Sequence, residues 1–157
     1  MPAFPLPGRT WPRRVGFRLA KARHPFIMDK LISRRAIVRG MSDIVKIIQH
    51  QITLEELARM AAATFGNMVK AVVDIGREVL AIDGELHSDL ESLLIEDGSR
   101  PQDLWGINLY PELQGDDFVE FDSMINMRPS HGNRSRGVED PKTREKIIQV
   151  VAKRISR

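Results

Sequence analysis

The densest set of chemically useful side chains lies in the loop 128–136. It offers guanidinium, hydroxyl and amide groups and a flexible glycine, in the order Arg128, Ser130, Gly132, Asn133, Arg134, Ser135 and Arg136. Arginine is a fork-shaped donor that matches carboxylate and phosphate. Glycine and asparagine let successive backbone amides converge on an anion. We therefore predict an anion-binding loop, whose ligand-binding residues are Arg128, Ser130, Asn133, Arg134 and Ser135.

The same loop also has a purely structural interpretation. Its arginines could pair with the carboxylates that are in surplus after residue 40, and Asn133 could hold a turn. The phosphate-binding signatures GxxxxGK[ST] and GxGxxG are both absent from the chain. The loop is therefore not a nucleotide phosphate loop of either type.

A second reactive set consists of Glu85, His87 and Asp89. A histidine beside carboxylates can act as a base with an orienting partner, or as a metal ligand. A metal centre would need a third ligand from a later carboxylate, which could be Asp116, Asp117, Glu120 or Asp122. The simpler interpretation is that His87 makes a local hydrogen bond in a loop. No Ser/His/Asp order and no GxSxG elbow is present, so we assign no metal ligand and leave catalysis open.

The hydrophobic pattern predicts the elements that must position these residues. Alternating or β-branched apolar runs predict strands over 44–48, 68–75, 78–82, 104–110 and 118–128. Capping boxes at Thr53 and Ser88 predict two helices, which end near residues 66 and 98. Asp140 followed by Pro141 predicts the start of a third helix. The longest strand, 118–128, would lead directly into the loop 128–136.

The predicted order β-α-β-β-α-β-β-α is typical of an α+β fold. We expect one two-layer domain over 41–157, with a mostly antiparallel sheet of about five strands and three helices on one face. The other face would carry polar side chains, namely Lys70, Asp74, Asn108, Tyr110, Glu120, Asp122, Asn126 and Arg128. Such a face can be solvated, or it can bind a ligand or a second subunit. Secondary site candidates are Glu85, His87, Asp122, Asn108 and Tyr110.

Charge divides the chain into two unlike parts. Residues 1–40 hold ten Lys and Arg against one acid, whereas 41–157 hold fourteen Lys and Arg against twenty Asp and Glu. The net charge of +3 therefore averages a basic segment and an acidic domain. This division argues against nucleic acid as a partner of the domain.

The basic segment 1–40 is rich in proline and arginine and has no sustained periodicity, which predicts a disordered extension. Three interpretations are open. Translation could start at Met28 or Met41, so that the extension is a mis-assigned start. The segment could instead be an Arg-rich targeting sequence, or a basic arm for nucleic acid or anionic lipid.

Other function classes are excluded by composition. The chain has no cysteine, so disulfides, thiolate catalysis and cysteine-ligated metals are excluded. No apolar run approaches the roughly 20 residues that span a bilayer. We therefore expect a cytoplasmic protein without a membrane partner.

Four runs carry a resemblance to a known family: NMVKAVVDI, LAIDGELHSDLESLL, DGSRPQDLWGINLYP and EFDSMINMRPSHGNRSRGVEDPKTREKI. Over about residues 44–155 the chain resembles a small bacterial family of uncharacterised proteins, a domain of unknown function. Members of that family begin near the equivalent of Met41, which supports a start there. Asp83 replaces the usual glycine and His131 the expected glutamine, and the second departure argues against His131 as a base.

Three functions follow from these observations. The first is a small binding or regulatory module that holds an anionic small molecule or an acidic partner at the loop 128–136. The second is a metal-assisted or acid–base hydrolase that uses His87 and Glu85 with Asp122. The third is an interaction protein whose polar sheet face forms a homodimer.

Overall fold

Residues 45–157 are described by the structure, which is a computed structural model. The predictions for residues 1–40 lie outside this range. The strands are β1 (Lys46–Ile48), β2 (Ile52–Thr53), β3 (Val69–Asp74), β4 (Val79–Ile82), β5 (Leu104–Leu109), β6 (Val119–Glu120) and β7 (Ile155–Ser156). The helices are α1 (Leu54–Ala63), α2 (His87–Glu96) and α3 (Pro141–Arg154). Within this range, no helix combines the length and the apolar character needed to cross a membrane.

Strand β3 lies at the centre of a five-stranded sheet with the order β1-β4-β3-β5-β6. Each neighbouring pair in this sheet is antiparallel. The short strands β2 and β7 form a separate parallel pair, in which Ile52 lies opposite Ile155. The α+β class, the five-stranded antiparallel sheet and the three helices are therefore confirmed.

Helices cover both faces of the sheet, which corrects the prediction that all three share one face. On one side, Ala71 and Val73 pack in the larger core with α1 and α3. On the other side, the directly opposed Val72 and Ala81 pack with Leu90 of α2. The central strand VKAVVD has three consecutive apolar residues, Ala71 to Val73, and five of its six residues are buried. A strand of that kind needs a covering layer on each side.

The ends of α1 and α3 follow the local sequence signals. The Thr53 hydroxyl accepts a hydrogen bond from the Glu56 amide at 3.1 Å, which caps α1. The Asp140 carboxylate accepts from the Thr143 amide at 2.9 Å, and Pro141 occupies the first position of α3. Both caps act within three residues of the helix start, so local sequence predicts them well.

Helix α2 departs from its predicted start. It begins at His87, with Leu86 at the N-cap, and no side chain caps it. Ser88 lies inside the helix instead of before it. Glu91, the expected partner in the capping box, faces the guanidinium of Arg128 at 3.9 Å instead. The predicted capping box at Ser88 is therefore wrong, because a tertiary ion pair takes its carboxylate.

The predicted strand 118–128 is also wrong beyond Glu120, where β6 ends after two residues. The buried Asn126 takes the place of the missing strand: its side chain accepts from the Gly106 amide at 2.8 Å and donates to the Gly106 carbonyl at 2.9 Å. A Cβ atom on Gly106 would stand 2.5 Å from the Cβ of Ser123. The chain therefore passes over β5 at close range and cannot pair with it as a strand.

Candidate functional site

A cleft of about 330 Å³ opens at one end of the α2 side of the sheet. It is lined by Met68, Lys70, Leu86, His87, Ser88, Asn108, Asp122, Ser123, Met124, Ile125 and Arg136. Strands β3 and β5 supply its floor, the start of α2 supplies one wall, and the segment 122–125 with Arg136 supplies the other. The structure thus brings together three of the secondary candidates, His87, Asn108 and Asp122.

The floor is built by sheet register. Lys70 of β3 lies directly opposite Asn108 of β5, and Asn108 lies opposite Glu120 of β6. Directly opposed residues share a face of an antiparallel sheet. The Asn108 amide donates to Glu120 Oε2 at 2.8 Å. Asn108 is only 6% exposed, and its buried Oδ1 has no hydrogen-bond partner among the described residues.

Lys70 places a cation beside this acceptor. Its ammonium lies 4.9 Å from the centre of the Phe65 ring, and none of the ion pairs between described residues involves it. The lysine also borders a neighbouring cavity of about 540 Å³, which Glu85 and Leu86 help to line. Lys70 therefore borders both spaces, with its ammonium beside Phe65 of the neighbouring cavity.

The start of α2 supplies backbone donors. The Leu86 carbonyl accepts from the amides of Asp89 and Leu90 at 3.2 and 3.4 Å. The amides of His87 and Ser88 precede the first helical bond and have no partner of that kind. No side chain caps this end, and Leu86, His87 and Ser88 line the cleft, so the positive end of the helix dipole lies beside it.

His87 lies in the same wall with a defined tautomer. Its Nε2 is 2.8 Å from the carbonyl oxygen of Ile107. A carbonyl only accepts, so Nε2 carries the proton and Nδ1 of the neutral ring is an acceptor. Burial lowers the pKa of His87, against the opposing effect of the Ile107 hydrogen bond. The ring is therefore neutral at pH 7.

Asp122 and Arg136 form a bidentate ion pair on the opposite wall. Arg136 Nε lies 2.6 Å from Asp122 Oδ1, and its second nitrogen lies 3.0 Å from Oδ2. Both side chains are about half exposed, at 54% and 42%. The pair is nearly neutral as a unit, so Lys70 and the α2 amides give the cleft its net positive character.

A comparison with protein families assigns the chain to a family. Residues 46–154 match the family described as "Protein of unknown function (DUF5674)". The chain belongs to this family. Neither the curated proteins nor the solved structures contain a match. The DUF5674 assignment confirms the resemblance to a domain of unknown function, and it leaves the function to be argued from the site.

In this DUF5674 member, Arg128 is engaged inside the protein. Its guanidinium donates to the carbonyls of Ile125 at 3.0 Å and Pro101 at 2.8 Å, and also to that of Leu104. It stacks over the Trp105 ring at 4.9 Å. Only 13% of the side chain is exposed. Arg128 therefore has its donors committed to the main chain.

Asn133 has a similar internal role. It is 3% exposed, and its amide donates to the carbonyls of Asn126 at 2.7 Å and Gly137 at 2.8 Å. Its Oδ1 accepts from the Glu139 amide at 2.8 Å. The side chain therefore holds the two ends of the loop together, as the structural interpretation of the sequence anticipated.

The loop's backbone donors meet an anion from the same chain. The Arg134 amide donates to the Glu139 carboxylate at 2.8 Å. This hydrogen bond is the largest cause of a lowered pKa at Glu139, to which Ser135 also contributes. Ser130 Oγ lies 3.1 Å from Nδ1 of the exposed His131. These groups of the loop 128–136 are thus directed at the protein itself, as Arg136 is at Asp122.

The remaining candidates are separated. Glu85 borders the neighbouring cavity, whereas His87 lines the cleft. Tyr110 donates to Glu120 Oε2 at 3.0 Å, next to the floor. Within residues 45–157, no three His, Cys, Asp or Glu side chains are grouped closely enough to hold a metal ion.

The sequence analysis did not select Lys70 and Arg136 as ligand-binding residues. The sequence pattern places Lys70 on the polar face of the sheet and Arg136 in the loop 128–136, and it does not bring the two together. The signal for Lys70 was its position opposite Asn108, which a correct pairing of 68–75 with 104–110 would have revealed. No local signal joined Arg136 to Asp122, because that contact spans fourteen residues.

Proposed function

We propose that the protein is a binding module that takes a small anion, a carboxylate or phosphate, in the cleft beside α2. One observation carries this proposal: Lys70, the Arg136–Asp122 pair and the uncapped start of α2 line a single space of about 330 Å³, in which the cations outnumber the carboxylates. Cations and helix N-termini are complementary to anions. The proposal keeps the anionic ligand expected from the sequence and moves its site.

The small size of the cleft favours a small ligand over an extended one. The cleft volume is at the low end of the range for small-molecule sites. Its floor is partly buried, so a bound anion would lose solvent and gain stronger interactions with Lys70. Residues 41–157 carry a surplus of acidic residues, so the domain as a whole does not attract anions. We therefore expect an anion to be held by short-range contacts in the cleft.

The test is a thermal-shift and calorimetric titration with phosphate and short carboxylates, in a buffer that contains neither. We expect a saturable rise in melting temperature. Lys70→Met should weaken binding by about tenfold or more, because one desolvated charge partner is lost. The matched control is Lys146→Met, a lysine on the exposed side of α3, which should bind like wild type.

Arg134→Ala is the control for a site in the loop 128–136, which is the location predicted from the sequence. Arg134 lies in the loop but does not line the cleft, so we expect unchanged affinity. Binding that is lost in Arg134→Ala and kept in Lys70→Met would return the site to the loop. No response to any anion in the panel would end the proposal.

A second candidate function is homodimerisation through the mouth of the cleft. Leu86 and Met124 border it and are 55% and 63% exposed. Large apolar side chains so exposed on neighbouring segments are typical of contact surfaces. Met124→Asp should convert a dimer to a monomer in light scattering. A wild-type protein that stays monomeric at high concentration would exclude this function. Phe118 is unsuitable for the test, since it is buried in the core.

A further inference from the structure

The cleft contains hydrogen-bond acceptors as well as cations, and their placement restricts the ligand further. His87 Nδ1 makes no hydrogen bond within the described residues, because the ring bonds Ile107 through Nε2. Asn108 Oδ1 has no partner there either, but it is closed to solvent beneath the floor of the cleft. A deprotonated carboxylate or a fully ionised phosphate group offers only acceptors and would not satisfy His87 Nδ1. A ligand that also carries a donor would pair with His87 Nδ1, whose lone pair is unused by the described residues.

An uncharged donor on that ligand suits the cleft better than a cationic one. An ammonium group would lie close to Lys70, which takes part in none of the ion pairs between described residues, whereas Arg136 is already paired with Asp122. Two like charges at short range repel, most strongly where water is excluded. A hydroxyl group donates a hydrogen bond without this penalty. The cleft is therefore complementary to a hydroxyl near an anionic group.

We infer that the ligand is a small hydroxylated anion, such as a hydroxycarboxylate or a polyol phosphate. Its anionic group lies near Lys70 and the α2 amides, and its hydroxyl donates to His87 Nδ1. The inference rests on the proposed anion-binding function and adds the ligand class. His87 is a residue for ligand recognition here, and the neutral state of its ring is what makes Nδ1 an acceptor.

Matched ligand pairs test the inference in the wild-type protein, so no variant has to fold. Lactate is compared with propionate, and glycerol 3-phosphate with propyl phosphate, by calorimetry at about pH 8, where His87 is neutral. One added hydrogen bond corresponds to about three- to tenfold in affinity. We expect the hydroxylated member of at least one pair to bind tighter by that factor. Equal affinities within both pairs would overturn the inference and leave the anion-binding proposal intact.

A direct readout assigns the preference to His87. In an imidazole ¹⁵N spectrum, the Nδ1 resonance should shift with the preferred hydroxylated ligand and stay unchanged with its matched partner. His87→Phe should abolish the preference while the simple anion keeps its affinity. An unshifted Nδ1, or a preference that survives His87→Phe in a folded variant, would overturn the inference. If no anion of either kind binds, the proposed function fails and the inference falls with it.

Discussion

The guanidinium of Arg128 donates to three main-chain carbonyls and lies over the Trp105 ring. Arginine suits this role because its planar fork can serve several acceptors at once. Burial acts to lower the pKa of Arg128, and Glu91 acts in the opposite direction. At the scale of the residue, a guanidinium can hold a free anion, but the guanidinium of Arg128 instead connects segments that are distant in the chain.

Arg128→Met should therefore reduce stability and leave anion binding unchanged. The substitution keeps much of the apolar stem and leaves partly buried carbonyls without donors, which we expect to cost about 2–4 kcal/mol. Urea unfolding measures the loss of stability in Arg128→Met and in the exposed control Arg134→Met. We expect the free energy of unfolding of the control to change by less than about 0.5 kcal/mol. Unchanged stability combined with weaker anion affinity would make Arg128 a ligand residue.

His87 makes stability depend on pH with a definite sign. Its folded-state pKa is lowered below the ordinary 6.5, mainly by burial. Well above pH 6.5 the ring is neutral in both the folded and the unfolded state. As the pH falls below 6.5 the unfolded chain binds the proton first, so the folded state loses stability down to the folded pKa.

The corresponding measurement is urea unfolding at about pH 7.5 and about pH 5.5. We expect the free energy of unfolding to fall more in wild type than in His87→Gln, which cannot titrate. Equal decreases in both proteins would show that other groups cause the pH dependence.

At the scale of elements, β5 has an outer edge that is completed mainly by side chains. Asn126 bonds both the amide and the carbonyl of Gly106, and Arg128 bonds the Leu104 carbonyl. β6 pairs only with the last part of β5, at Asn108 and Leu109. The edge is satisfied without a full strand, and this frees the segment 122–125 to form a wall of the cleft.

Asn126→Ala should expose the weakness of this arrangement. It removes the partners of two Gly106 groups and of the Arg136 carbonyl, and buried unpaired groups cost about 1–3 kcal/mol each before relaxation. We expect a total loss of about 3 kcal/mol in urea unfolding. Asn67→Ala, at an exposed position, is the control. If the two variants lose equally little, Asn126 does not replace a strand.

At the scale of the molecule, β3 separates two apolar cores. Val73 faces the larger one with α1 and α3, and its neighbour Val72 faces the smaller one with α2. Both residues are fully buried. The second layer is what creates the cleft, since α2 stands over the sheet face that would otherwise be open to solvent.

Val72→Thr and Val73→Thr form a matched pair that tests this division. Each introduces a hydroxyl of nearly the same shape, and burying it without a partner costs about 1–3 kcal/mol. We expect similar losses for both in thermal or urea unfolding. If Val72→Thr leaves the free energy of unfolding unchanged while Val73→Thr lowers it, the α2 face is solvated, as a two-layer fold with one open sheet face would require.

The sequence by itself determined the elements whose signals are local. The caps at Thr53 and Asp140, the hairpin of β3 and β4 and the existence of the helices follow from residues close together in the chain. The family membership follows from a match along residues 46–154. A cap or a hairpin turn is decided by contacts across two to four positions, so a single sequence contains the necessary information. The α+β class follows from the order of these elements.

Only the tertiary structure decided the side of the sheet on which α2 packs, the end of β6, and the group to which each polar side chain donates. Arg128 and Asn133 have the same donors in any fold, and their role depends on which carbonyls reach them from residues that are distant in the chain. Lys70, His87 and Arg136 become neighbours only when β3, α2 and the loop meet. Such contacts depend on global packing, and no periodicity in the sequence records them.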